Sequence, residues 1–88
     1  MHIMTLGIDV AKNVFQLHGV DARGRAVLSR RVKRDQLFRT VASLPPCVIG
    51  MEAGGSAHHW GRTFEPLGHT VKLMPPQVWQ ALRQDQQA

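Results

Sequence analysis

Apolar and polar positions alternate with period 2 along the first third of the chain. In "IMTLGIDV" (3–10), Met4, Leu6, Ile8 and Val10 fall on one face of an extended strand, with Ile3, Thr5, Gly7 and Asp9 on the other. "VFQLHGV" (14–20) sets Phe15 and Leu17 against Gln16 and His18, and "DARG" (21–24) has the composition of a tight turn. "AVLSRRV" (26–32) continues as a third strand. Three short strands with tight connections predict an antiparallel meander.

The period then changes to that of a helix. In "RDQLFRTVASL" (34–44), Leu37, Phe38, Val41 and Leu44 share one helical face, and Pro45-Pro46 ends the segment. "CVIGM" (47–51) is short and wholly apolar, as a central buried strand requires, and it runs out at Glu52 before the break "GGS". Ser56 is placed to cap a second helix, in which Ala57, Trp60, Phe64 and Leu67 keep helical spacing. Pro66 should kink or shorten its last turn, and Gly68 fits its end. "TVKLM" (70–74) is a fifth strand, stopped by Pro75-Pro76, and "QVWQALRQDQQ" (77–87) starts a third helix. The order β-β-β-α-β-α-β, then a helix, predicts an α/β domain spanning residues 1–88. Its mixed sheet has parallel pairing among the first, fourth and fifth strands.

Composition narrows the class. At 88 residues the chain forms at most one small domain, able to bury only about 60–65% of its unfolded surface. No apolar run approaches the roughly 18 residues that span a bilayer. "MHIMTLGIDV" lacks the basic segment and long apolar core of a signal peptide, so a cytoplasmic location and no membrane partner are expected. The single cysteine, Cys47, excludes an internal disulfide and a cysteine-based metal site, and reads as a core residue. A net charge of +5 and a pI near 10.8 favour a polyanionic partner such as DNA or RNA, or describe a merely basic soluble protein.

Two carboxylates stand where chemistry is done in open α/β sheets. Asp9 lies near the C-terminal end of the first strand and Glu52 just past that of the fourth. Parallel neighbours about 4.8 Å apart would present both at one sheet edge. Two such carboxylates do not both ionise cheaply without a cation between them. Mg²⁺ suits hard oxygen ligands of this kind, and metal ions so held activate water or a hydroxyl for attack on a phosphodiester. The alternative is that Asp9 begins a turn and Glu52 caps a loop. Strand-Asp-turn-strand also opens the actin-like and sugar-kinase ATPases, but Asp9-Val10-Ala11 lacks the glycine that lets backbone amides approach a phosphate. His58 and His59 are adjacent and so point to different sides of a helix, which excludes an i, i+4 metal pair. Trp79 reads as packing or as awaiting a partner.

The segments "GIDVAKNVFQLHGVDARG", "GMEAGGSAHHWGR" and "LGHTVKLMPPQ" resemble the N-terminal part of the RuvC-like DEDD transposases of bacterial insertion sequences, a family that includes the pilin-gene DNA invertases. The resemblance covers residues 4–77. It implies an RNase H-like fold and Mg²⁺-dependent DNA transposition and recombination, with Asp9 and Glu52 as the first two catalytic and metal-binding acids. It also implies DNA as partner, an element-encoded guide RNA and oligomerisation of the full-length protein. Basic side chains near this edge, Lys12, Arg30, Arg31, Lys33, Arg34 and Arg62, with His58 near the sheet edge, are the expected nucleic-acid contacts. Glu52-Ala53-Gly54 replaces the family's Glu-Ala-Cys. The family's third acid would fall just beyond Ala88, and Asp85 is out of register with it. These 88 residues are therefore expected to hold two of four acids, to bind metal weakly and not to transpose alone. The alternative is a stand-alone basic nucleic-acid-binding remnant without catalysis.

Overall fold

The computed structural model describes residues 3–10 and 13–87, with the side chains of the last helix described through Ala81. The elements are β1 (Thr5–Val10), β2 (Val14–Val20), β3 (Ala26–Lys33), α1 (Arg34–Ala42), β4 (Val48–Glu52), α2 (Ala57–Phe64), a 3-10 turn (Glu65–Leu67), β5 (Thr70–Met74) and α3 (Pro76–Gln87). They build one mixed sheet of strand order β3-β2-β1-β4-β5. β1, β2 and β3 form the antiparallel meander, and β4 and β5 extend it in parallel with β1. No helix among the described residues is long and apolar enough to cross a membrane.

The strand alternation decides which face receives which helix. Leu6 and Ile8 of β1, Phe15 and Leu17 of β2, Val32 of β3, and Ile49 and Met51 of β4 are buried with Leu37 and Val41 of α1 and Ala57, Trp60 and Phe64 of α2. Trp60 sits at the centre of an aromatic cluster, edge-on to Phe15 at 5.7 Å and stacked on Phe64 at 5.5 Å. Arg34, at the start of α1, lies over the rings of both Phe15 and Trp60, so its guanidinium caps the cluster through cation–π attraction. Arg34 N–H also donates to Asn13 O, tying α1 to the start of β2.

A buried histidine ties α1, β4 and β5 together. His69 is 4% exposed. Its Nδ1 accepts from Cys47 N–H at 3.1 Å and its Nε2 lies 3.1 Å from Val41 O. Acceptance at Nδ1 leaves the ring proton on Nε2, where Val41 O takes it. Cys47 is buried beside it with its Sγ 3.6 Å from Nδ1, and burial pushes the thiol pKa up.

Several expectations need correction. Ile3, not Met4, is the buried residue before β1: Ile3 packs toward Gly19, while Met4 is 47% exposed. The ladder begins at Thr5, so alternation does not extend back to residue 3. Phe38 is 46% exposed, because α1 buries only the Leu37–Val41 stripe. That helix closes at Ala42, with Leu44 partly buried beyond it. Ser56 precedes α2 but makes no capping side-chain hydrogen bond. Pro66 does end the helical run in a 3-10 turn closed by Gly68, whose φ is +96°.

Candidate functional site

The register of β1 on β4 places Thr5 opposite Val48, Leu6 opposite Ile49, Gly7 opposite Gly50 and Ile8 opposite Met51. One step further along both strands stand Asp9 and Glu52. The two carboxylates expected to meet therefore occupy adjacent strand ends, about 4.8 Å apart in the ladder direction. They also share the sheet face opposite α1 and α2, since each lies two residues beyond a glycine of the Gly7–Gly50 pair. Both line a cleft of about 420 Å³ whose remaining wall is Val10, Ala53, Gly54, Gly55, Ser56 and Trp79.

The loop after Glu52 is shaped by its glycines. Gly54 and Gly55 take φ of +125° and +48°, a conformation L side chains rarely adopt, and they turn the chain from β4 into α2 along the rim of the cleft. Ala53 N–H donates to Met74 O at 2.7 Å, holding the loop against the end of β5.

Asp9 is oriented from two sides. The indole N–H of Trp79 donates to its Oδ1 at 3.0 Å. His18 Nε2, one strand away on the same face, lies 3.8 Å from Oδ2 and forms an ion pair when protonated. A carboxylate oxygen that accepts one N–H keeps a further lone pair for another ligand. Glu52 is partly buried at the end of β4, where it pairs with Met74 of β5. Two hard oxygen donors at one open cleft fit Mg²⁺, which commonly takes one or two protein carboxylates and fills its shell with water or phosphate oxygens. Among the described residues no group of three or more His, Cys, Asp or Glu side chains forms a fuller cage.

The basic candidates divide by position. Arg31 pairs with Gln16, which pairs with Asp9, so this row crosses the sheet on the Asp9 face with Arg31 two strands, roughly 10 Å, from the carboxylate. Arg30 pairs with Leu17 and so belongs to the other face. Lys33 and Arg34 line a second groove, of about 480 Å³, with Asn13, Val14 and Asp35. His58 and Arg62 are exposed on α2 and do not line the Asp9–Glu52 cleft. His59 packs edge-on against Trp60 at 5.1 Å. Lys12 lies outside the described residues.

The sequence reading passed over Trp79 as a site residue. The signal was present in the strands: Gly7 and Gly50 interrupt otherwise well-filled strands, and an interior strand glycine marks a close approach. A Cβ at Gly7 would lie 3.4 Å from the indole Cη2, and one at Gly50 would meet Met74 Cε at 2.6 Å and the indole Cζ3 at 3.7 Å.

No protein-family model matches the chain. Among curated proteins it is similar to a probable family 20 transposase of Pseudomonas aeruginosa, 49% identical over 77 residues, or 88% of this chain and 23% of that protein. It is 51% identical over 75 residues to the transposase for insertion sequence element IS1111A of Coxiella burnetii, covering 85% of this chain and 21% of that one. It is 40% identical over 76 residues to the transposase for IS1328 of Yersinia enterocolitica, covering 86% and 23%. The chain thus spans between a fifth and a quarter of the length of these relatives. It is a homologue of insertion-sequence transposases, matching the N-terminal part of these longer proteins.

Proposed function

We propose that this chain carries the first half of the catalytic centre of a DEDD-type insertion-sequence transposase with an RNase H-like fold. Asp9 and Glu52 are its metal-binding acids and DNA is its substrate. The observation that carries the reading is the register of β1 on β4, which brings these two acids to one cleft. The antiparallel meander extended in parallel by β4 and β5 supports the fold assignment.

Asp9 and Glu52 would hold Mg²⁺, which supplies charge neutralisation and an activated nucleophile for phosphodiester exchange. The chain's own contribution is to fix Asp9 through Trp79 and to leave Glu52 open to the cleft. Arg31, Lys33 and Arg34 flank this edge and would neutralise backbone phosphates of DNA or of an element-encoded guide RNA. Oligomerisation belongs to the full-length protein under this reading. With two acids in place, metal affinity is weak and the 88 residues do not transpose alone.

Calorimetric Mg²⁺ titration tests the proposal. Wild type should bind weakly, and Asp9→Asn and Glu52→Gln should each diminish the heat, with none left when both are changed. Undiminished binding in both variants would overturn it. A second reading, a basic nucleic-acid-binding module without catalysis, is favoured by the exposed run Arg30, Arg31, Lys33 and Arg34. Salt-sensitive DNA or RNA binding in a protein indifferent to Mg²⁺ would select it.

A further inference from the structure

We propose that Trp79 is a positioning residue for Asp9, and that the Gly7–Gly50 pair is the seat that makes this possible. The inference rests on the metal-binding reading of Asp9, but its structural core stands apart from it.

Trp79 comes from the first turn of α3 and is 5% exposed. Its ring lies across the one place in the sheet where two neighbouring strands both lack a side chain in register, Gly7 on β1 and Gly50 on β4. The indole lies at van der Waals distance from where a Gly7 Cβ would stand, and at Gly50 a Cβ would meet Met74 Cε at 2.6 Å before the ring at 3.7 Å, so side chains larger than alanine at Gly7 would lift the indole off the sheet. Seated there, the ring edge reaches two residues along β1, and Nε1 donates to Asp9 Oδ1 at 3.0 Å. An indole nitrogen is a donor only. It can therefore orient a carboxylate by one oxygen without competing for a cation.

The geometry assigns two tasks to this contact. It selects one rotamer of Asp9, directing the oxygen lone pairs that the indole does not use toward the cleft. It also links that rotamer to the docking of α3, because the donor to Oδ1 comes from Trp79 in the first turn of that helix. Hydrogen-bond partners that orient a metal ligand commonly change affinity by 10–100-fold when removed. The Asp9 carboxylate is thus supplied by β1 and oriented in part by α3, opposite His18 of β2.

Two measurements test this on the 88-residue chain. Without metal, the indole N–H resonance of Trp79 is followed in wild type and Asp9→Ala. A carboxylate-bonded N–H should shift and exchange faster with solvent when Asp9 is removed, and an unmoved resonance overturns the contact. With Mn²⁺ as the probe, Trp79→Phe keeps the ring on its glycine seat and deletes the donor. Affinity should fall about 10-fold, and Gly7→Val, which displaces an intact Trp79, should match it. Unchanged affinity in a folded Trp79→Phe and in Gly7→Val overturns the positioning role. Wild-type protein that binds no Mn²⁺ at Asp9 would refute the metal reading, and the metal-free resonance then decides the contact by itself.

Discussion

Replacing His69 with phenylalanine removes two buried hydrogen bonds while keeping a planar ring in the same space. In the native fold Cys47 N–H donates to His69 Nδ1, and His69 Nε2 donates to Val41 O, both at 3.1 Å. Val41 O retains a second partner, the N–H of Leu44 at 3.1 Å, so its loss is partial. Cys47 N–H is left buried against hydrocarbon, and an orphaned buried donor costs about 1–3 kcal/mol. Adding the weakened Val41 bond brings the expected loss to roughly 2–3 kcal/mol. A domain of this size holds only about 4–13 kcal/mol in total, and each kcal/mol moves Tm by about 4–8 °C. Thermal melts followed by circular dichroism should therefore show His69→Phe melting about 10–20 °C below wild type. Hydrogen exchange should show the Cys47 amide losing protection. A Tm within about 3 °C of wild type, or a Cys47 amide still protected, would refute the reasoning.

Other expectations follow from the same packing. Trp60 Nε1 is buried with no partner among the described residues, so Trp60→Phe relieves an unsatisfied donor while losing area and should change stability by less than about 1 kcal/mol, whereas Phe64→Ala in the same cluster should cost about 3–5 kcal/mol in denaturant titrations. The Cys47 thiol has its pKa raised by burial, so the folded state resists its ionisation; that stability is fully present below the unfolded thiol pKa of about 8.5 and is lost as pH rises above it. Melting temperature should therefore decline between about pH 8 and 10, and less so in Cys47→Ala, with an equal decline in both contradicting the assignment. If Arg31, Lys33 and Arg34 contact phosphates, alanine at each should reduce the slope of log K against log salt for a DNA duplex by about 1, while Arg62→Ala leaves it unchanged.

The element order and the parallel placement of β1, β4 and β5 were legible because each segment carries its own period and its own stop signal. The Asp9–Glu52 pairing followed from that order alone. What the sequence hid were contacts that depend on which side of the sheet a helix lands. Phe38 keeps helical spacing with Leu37 and Val41, yet α1 sits so that only the latter two reach the core. Ile3 and Met4 exchange roles because the chain bends at Met4, one residue before the β1 ladder opens at Thr5. Trp79 and His69 were illegible for a related reason: each acts on a residue far away in the chain, 70 and 22 positions respectively. Only the interior strand glycines left a trace of the first, and nothing in the local sequence marks the second.

The central claim is that Asp9 and Glu52 share one cation. Paramagnetic broadening of amide resonances by substoichiometric Mn²⁺ tests it most directly. The account predicts broadening centred on residues 9 and 52–56, reduced in either Asp9→Asn or Glu52→Gln and lost when both are changed. Broadening centred on another part of the sheet, or surviving in the double variant, would contradict it.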